Sequence, residues 1–528
     1  MGDTFTHIGD ILARNARMYP DDVALIERIP AAKKKSEITW KQFDDQANRF
    51  ANVLLKKGIK KGDKVVHFMM NSIDWLVAYF GIVRTGVWVV PLNFRFTAED
   101  VKYCCGVAEP KIVIFDEEFT DRITAINGQL PTVEEYICVG NKTPGYAQSY
   151  GKLFEGASAA ALNVEIGPHD ECGLYFTSGT TGQPKAILLT HDNMLSACIT
   201  ENVHHRQTKQ DCFILIPPLY HTGAKMHWFG SFIVAGKAVI LKGVSPEWTL
   251  EAVSEEGGTI VWLLVPWAQD ILVKFESGEL KPSDYKLGQW RLMHIGAQPV
   301  PPSLIRQWKN LFPAMDYDTN YGLSESTGPG CVHLGMGNEH KIGAIGIPGF
   351  NWEFKIVDEN GQTLKQGDVG ELCVRGPGVM REYYRNPEAT KKTLIDGWLF
   401  TGDMARADKD GFIWLVDRKK DIIITGGENV FPVEVEDFFH AHSKIKDVAA
   451  IGLADERLGE IVAVVIETKP GVSLTEDEVV KFGAPLPKYK RPRKVFFGKI
   501  PRNPTGKIEK PKLRKQYAGI SKAFKIKH

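Results

Sequence analysis

Between Tyr175 and Lys185 the chain reads Tyr-Phe-Thr-Ser-Gly-Thr-Thr-Gly-Gln-Pro-Lys, a density of hydroxyls, glycines and positive charge that suits an anion. Gly179 and Gly182 let backbone N–H groups come close to a ligand, while Thr177, Ser178, Thr180 and Thr181 add hydroxyl donors and Lys185 a full charge. The Walker loop is the nearest phosphate-binding pattern, but it ends in Gly-Lys-Ser/Thr, whereas here Gly182 is followed by Gln183-Pro184-Lys185-Ala186. An ordinary P-loop is therefore disfavoured. Taken alone, the segment leaves a flexible polar hairpin as its alternative, because Gly/Ser/Thr clusters usually form loops.

Further segments share this density. Gly296-Ala297-Gln298-Pro299 follows an apparent strand, and Asn320-Tyr321-Gly322-Leu323-Ser324-Glu325 offers an aromatic face, a hydroxyl and a carboxylate. Phe400-Thr401-Gly402-Asp403 places an acid after a tight turn, and Pro501-Arg502-Asn503-Pro504-Thr505-Gly506-Lys507 holds a lysine on a rigid one. Singly, each is weak: Tyr321 reads as core and Asp403 as a turn acid.

Positioning such groups takes a large scaffold. The 528 residues exceed one core and predict two to four structural units. With 43% hydrophobic residues, 24% charged residues and a net charge of +1, the chain shows no global preference for nucleic acid or membrane. Eight cysteines are scattered, Cys104 and Cys105 adjacent, without a Cys-x-x-Cys pair, so buried thiols in a reducing compartment are expected rather than zinc sites or disulfides. The start of the chain lacks the basic and apolar regions of a signal peptide, and no apolar run reaches membrane-spanning length, so cytoplasmic residence is the expectation.

Phe43, Ala47, Phe50, Ala51 and Leu54 recur at helical spacing, with Gly58 as a stop. Strands are expected over 64–70, 87–92 and 111–115, with an apolar helix from Trp75 to Val83 and a helix start at Thr97. Alternation resumes with strands over 213–216, 238–241 and 260–265, which predicts two α/β layers of mainly parallel strands. Past about residue 340, frequent glycines punctuate short strands such as 353–357 and 371–374, the texture of a small antiparallel unit. A small α+β tail follows, with a helix over 433–440 and strands over 448–453 and 461–468. Lysines and arginines crowd residues 488–515, by default a solvated basic face, with an RNA tail or a polyanionic small molecule as alternatives.

Together and in this order, the motifs resemble those of the adenylate-forming superfamily: acyl-CoA synthetases, nonribosomal adenylation domains and firefly luciferase. The resemblance runs from about Phe5 to about Arg514. It implies stacked α/β sheets plus a small antiparallel β unit (about 340–419) in an N-terminal adenylation domain over 1–419. A small mobile α+β domain over 420–528 then hinges at Lys420. The charge-dense Asp417-Arg418-Lys419-Lys420-Asp421 read alone is an ordinary solvated linker.

In this superfamily a carboxylate and ATP form an acyl-adenylate and pyrophosphate, after which the tail rotates and a thiol attacks. Both reactants of the first step are anions, so charge neutralisation is the main catalytic task. The resemblance implies that Thr177, Ser178, Gly179, Thr180, Thr181, Gly182 and Lys185 hold the β- and γ-phosphates, that Ser324 touches the α-phosphate, and that Glu325 helps hold Mg2+. Adenine would stack on Tyr321 beside Gly296, Ala297 and Gln298, with Asn320 and Gly322 flanking. Asp403 would accept from the ribose hydroxyls with Arg418 assisting. Lys507 would bridge carboxylate and α-phosphate. Gly426 and Gly427, in Thr425-Gly426-Gly427-Glu428-Asn429, would let the pantetheine of CoA pass close to backbone.

His221, in Pro217-Pro218-Leu219-Tyr220-His221-Thr222-Gly223, matches the residue that gates the acyl pocket, with a packed core histidine as the alternative. Lys225-Met226-His227-Trp228 and Trp262 to Trp267 are expected to form pocket wall, and Gly322 part of its floor. Aromatic bulk suggests an aryl, alicyclic or medium-chain acid. Two departures stand out: Ala186 replaces a common glycine, and Lys225 lies where amino-acid-activating members carry an acid, which disfavours amino acids. The expected partners are therefore a small carboxylic acid, ATP and CoA, without nucleic acid or stable membrane insertion, and with a homodimer left open. Transfer to a carrier-protein phosphopantetheine, or nucleotide binding without catalysis, are the competing functions.

Overall fold

A helix that is apolar round its whole circumference has to be enclosed, and Ile73–Val83, IDWLVAYFGIV, is such a segment. In the computed structural model, which describes residues 7–177, 184–296, 300–418, 420–502 and 508–518, every residue of this helix except Asp74 is buried. Ser72 caps its start, the hydroxyl accepting from the Trp75 N–H at 3.0 Å. Helix Trp40–Lys56 crosses it at Gly81, where a Cβ would lie 2.8 Å from the Phe50 ring, so only glycine permits this approach. The apolar cluster around these helices takes side chains from two sheets, including Val65, Val89 and Ile114 of one and Leu25, Phe213 and Ile240 of the other.

The first sheet has eight strands in the order Glu382–Tyr383, Lys185–Thr190, Glu171–Thr177, Trp88–Pro91, Lys64–Phe68, Ile112–Asp116, Glu135–Val139 and Gln148–Ser149. Its central strands are parallel, and the hairpin joining Glu171–Thr177 to Lys185–Thr190 is antiparallel. The second has seven, in the order Asp316–Asp318, Leu292–Gly296, Ile260–Leu264, Cys212–Leu215, Lys237–Leu241, Val23–Ile29 and Lys34–Thr39. These are the two expected α/β layers. Sequence periodicity did not place Val23–Ile29, an early strand that pairs in parallel with Lys237–Leu241 in the later layer.

Beyond these layers, a five-stranded antiparallel sheet centred on Gly370–Arg375 and Trp398–Ala407 forms the expected β unit, and a three-stranded sheet (Asn320–Leu323, Gly328–His333, Ile347–Pro348), which begins before it, was not expected. The tail is built on the long hairpin Ile445–Asp455 and Gly459–Thr468. Its strands are apolar on both faces because both are covered. Val448, Ala450, Val462 and Val464 join a cluster with Val435 and Phe439 of helix Pro432–His440, whereas Ala449, Ile451, Ala463 and Val465 meet Leu513 of helix Lys510–Tyr517.

Part of the basic end of the chain is neutralised from within, while Lys488, Arg493, Lys499, Lys512 and Lys515 are exposed. Lys510 is buried against Glu436 at 2.9 Å, Arg502 pairs with Asp447 at 2.5 Å, Lys490 with Glu434 at 2.5 Å and Arg514 with Asp421 at 3.0 Å. All eight cysteines are buried and none forms a disulfide. Among the described residues, no helix is long and apolar enough to cross a membrane.

Candidate active site

Thr177 and Lys185 face each other as the last register pair of the antiparallel hairpin, so they bracket the hydroxyl-rich segment. Ser178, Gly179, Thr180, Thr181 and Gly182 lie outside the described residues, as do Ala297, Gln298 and Lys507. The Lys185 ammonium sits 4.6 Å from the centroid of the Tyr383 ring, a cation–π contact. The same ring's hydroxyl donates to Glu325 Oε1 at 2.6 Å, a short charge-assisted bond. Tyr383 thus joins the phosphate-loop stem to the expected metal carboxylate, and burial beside the Glu325 charge raises its phenol pKa. Sequence reasoning passed over Tyr383. Its strand, Glu382–Tyr383, is two residues long and carries little periodic signal, yet it pairs with Ile187 and Leu188 at the edge of the first sheet.

Glu325 is held through its backbone too, its carbonyl accepting from the Met380 N–H at 2.8 Å. Ser324 and Glu325 begin a short 3-10 turn and are both half-buried, so their oxygens stand at a surface within reach of a ligand. The Thr222 hydroxyl donates to Ser324 Oγ at 3.1 Å, which ties this turn to the start of helix Thr222–Ile233. His221 caps that helix, its Nδ1 accepting from the Gly223 N–H at 3.1 Å. His221 is half-buried and directly precedes Thr222, whose hydroxyl meets Ser324.

Tyr321 lies on strand Asn320–Leu323, 8% exposed, and its hydroxyl donates to Asp403 Oδ2 at 2.6 Å. Burial and the Asp403 charge raise the phenol pKa, so it stays a donor. Asp403 follows Gly402, whose φ of +73° is the left-handed conformation that glycine adopts without strain. Arg418 faces Asp403 as its backbone register partner on the neighbouring strand. Gly296 ends its strand, and a Cβ built there would lie 3.6 Å from Asn320 Oδ1 and 3.7 Å from Trp262 Nε1.

A Cβ on Gly322 would stand 2.3 Å from the Gly328 carbonyl oxygen, so the position is packed against the neighbouring strand's backbone. Lys225 is fully buried, and its ammonium donates to the Thr327 carbonyl at 2.7 Å and lies 5.6 Å from the centroid of the Tyr175 ring. Burial lowers its pKa to about 8, partly offset by Cys198 and Cys172. Trp228 packs with Trp75, Tyr79 and Phe80 in the aromatic core.

In the tail, Gly426 and Gly427 form the two-residue turn between strands Ile423–Thr425 and Glu428–Val430, with φ of +60° and +86°. Two successive positive φ values are the geometry of a tight hairpin of matching twist. Asp417, just before the expected hinge, accepts from the Val433 N–H at the start of helix Pro432–His440 at 3.0 Å.

The Thr177–Lys185 pair, the Glu325 carboxylate held by Tyr383 and the Tyr321–Asp403 pair thus come from strands of three different sheets and from the short turn after Asn320–Leu323. The family model described as AMP-binding enzyme matches residues 12–384, and the AMP-binding enzyme C-terminal domain matches residues 434–507. The chain belongs to the AMP-binding enzyme family. Within it, the chain stands among the adenylate-forming acyl-CoA ligases. It is similar to the long-chain-fatty-acid–CoA ligase FadD13 of Mycobacterium tuberculosis, 32% identical over 97% of this chain and 99% of that one. Among solved structures it is similar to the anthranilate CoA ligase AuaEII in complex with anthranoyl-AMP, with a TM-score of 0.89, 25% identity and 99% of each chain covered. ATP-bound MatB from Rhodopseudomonas palustris gives a TM-score of 0.87 at 29% identity, over 98% of this chain and all of that one, 100%.

Proposed function

We propose that this AMP-forming acyl-CoA ligase activates a compact apolar carboxylic acid, aryl, alicyclic or medium-chain, and passes it to CoA. A carboxylate oxygen attacks the α-phosphorus of ATP, the bond from that phosphorus to the β-phosphate oxygen breaks, and pyrophosphate leaves. The CoA sulfur then attacks the acyl carbonyl, its proton is lost to solvent, and AMP departs with the oxygen that came from the acid.

The single observation that most supports the assigned roles is Tyr383, which holds Glu325 by a 2.6 Å hydrogen bond while its ring carries Lys185. One side chain thereby sets the distance between the phosphate-loop stem and the carboxylate. The donor set fits a hard cation: Glu325 is a half-buried oxygen ligand next to the Ser324 hydroxyl, and Mg2+ bound there would neutralise phosphate charge. In this reading Asp403 accepts from the ribose hydroxyls and is aimed by Tyr321, and Ser324 meets the α-phosphate. His221 gates the acyl side, and Lys507 bridges acid and α-phosphate. The tail turns about Lys420 to bring Gly426 and Gly427 to the pantetheine.

Pyrophosphate release measured with a panel of acids, with and without CoA, tests the reading. Turnover with CoA and an apolar acid is expected. Turnover only with a carrier protein's phosphopantetheine would transfer the second half-reaction to a different acceptor, and no acid-dependent release would overturn the proposal.

A further inference from the structure

Lys225 is a buried charge that the proposed chemistry leaves unused. It stands on helix Thr222–Ile233, and among the described residues no carboxylate partners it. Its contacts run instead to the two segments assigned to the phosphates. The ammonium donates to the carbonyl of Thr327, two residues beyond Glu325, at 2.7 Å. It also lies 5.6 Å from the ring centroid of Tyr175, two residues ahead of Thr177. One ammonium thus adjoins both the turn that carries Ser324 and Glu325 and the strand that leads into the phosphate loop.

The same helix holds that turn at its other end. Thr222, one helical turn before Lys225, donates to Ser324 Oγ at 3.1 Å. A Cβ on Gly328 would lie 2.7 Å from the Thr222 carbonyl oxygen, so the two backbones are in contact. Thr327 closes the turn, its N–H donating to the Ser324 carbonyl at 3.0 Å. Its φ of +67° is a left-handed conformation that a residue with a Cβ keeps only when its surroundings hold it. The bond from Lys225 is one such hold, and the Thr327 hydroxyl on the Gly378 carbonyl is another.

An ammonium buried without a counter-ion costs stability, and a negatively charged ligand nearby relieves that cost. Given the roles proposed for Thr177, Ser324 and Glu325 toward ATP, we propose that Lys225 is a positioning residue for adenylation. Its ammonium sets the Ser324 turn against the phosphate-loop strand and serves as a buried counter-charge to the bound phosphates. The low dielectric of the interior lets such a charge act beyond contact distance. Its ionisable neighbours stay neutral. Burial pushes the Cys172 and Cys198 thiols up to about 12, and the Tyr175 phenol, bonded to the Tyr79 hydroxyl at 2.7 Å, well above its usual value. Among the described residues at this junction, Lys225 is therefore the group that titrates near about pH 8. Phosphate charge raises its pKa in the complex, so the protonated enzyme binds ATP more tightly. Affinity is then full below about pH 8 and falls as pH rises toward the higher value.

Titration calorimetry of ATP with Mg2+ against the full-length protein, without acid and in buffers of different ionisation enthalpy, tests this. At about pH 8.5 the wild type is expected to take up about half a proton per ATP more than Lys225→Met. Its affinity should fall about tenfold between about pH 7.5 and about pH 9.5, whereas the variant, about tenfold weaker at about pH 7.5, should change less than about threefold. A lysine that only packs would move neither the proton count nor the slope. Equal proton uptake by the two proteins, or an equal loss of affinity with pH, would overturn the role. Should the variant not fold, the wild type decides alone: no proton taken up and an affinity flat in pH would overturn it as well. Acid-dependent pyrophosphate release by the wild type is read separately. Its absence, with ATP bound and a proton taken up, would overturn the ligase reading and leave the role of Lys225 standing; a wild type that does not bind ATP would overturn both.

Discussion

Replacing Lys225 by methionine should change how stability depends on pH rather than simply lower it. The ammonium is fully buried, and its pKa falls to about 8 from the ordinary 10.5 because burial penalises the charge. A lowered lysine pKa means that the unfolded chain holds the proton more tightly, so the cost is complete below about pH 8 and disappears as pH rises through 10.5. At about 1.4 kcal/mol per unit, the full cost is about 3 kcal/mol, and about 2 kcal/mol of it is recovered between about pH 7 and about pH 9.5. The bond to the Thr327 carbonyl offsets part of this at every pH, and in the methionine variant that carbonyl is left unpaired. Urea unfolding of wild type and Lys225→Met across that range removes titrations common to both. Wild type is expected to gain about 2 kcal/mol on the variant as pH rises. Parallel curves, or a gain in the opposite direction, would refute the assignment of Lys225 as an unneutralised buried cation.

Tyr383→Phe removes the hydroxyl that aims Glu325, and a charge-assisted bond of about 1.5–3 kcal/mol should appear as a roughly tenfold higher Mg2+ requirement for pyrophosphate release; an unchanged Mg2+ titration would count against that role. Gly322→Ala drives a Cβ to 2.3 Å from the Gly328 carbonyl oxygen, and overpacking of about 1–3 kcal/mol should lower the melting temperature by several degrees, which calorimetry would detect. Lys507→Ala should abolish adenylate formation and spare thiolysis of a supplied acyl-adenylate, whereas Gly427→Leu, forced to a φ of +86°, should do the reverse; equal loss in both single-turnover assays would remove the division of labour.

Much of the scaffold was legible because its signals are local. Apolar residues on all sides of Ile73–Val83 announced an enclosed helix, and Thr97 caps Ala98–Ala108 with the reciprocal bonds to Asp100 that the sequence suggested. Of the site, Tyr321, Asp403, Ser324 and Glu325 were visible through their motifs, but the bonds between them were not. Tyr383 escaped because its partner Glu325 lies 58 residues away, and a lone tyrosine on a two-residue strand has no pattern. The bond from Lys225 to the Thr327 carbonyl was invisible for a related reason, since its partner lies 102 residues away. Likewise, the acids that pair Lys490, Lys510 and Arg502 in the otherwise solvated basic end, Glu434, Glu436 and Asp447, belong to other elements.

In the proposed reaction the acid is activated by bonding its own oxygen to the α-phosphorus, within the site framed by Thr177, Glu325 and Asp403. Turnover of an acid labelled with oxygen-18 in its carboxylate, with ATP and CoA, tests it directly by mass spectrometry of the products. One labelled oxygen in AMP is the expected result. Unlabelled AMP, or ADP and phosphate in place of AMP and pyrophosphate, would contradict it.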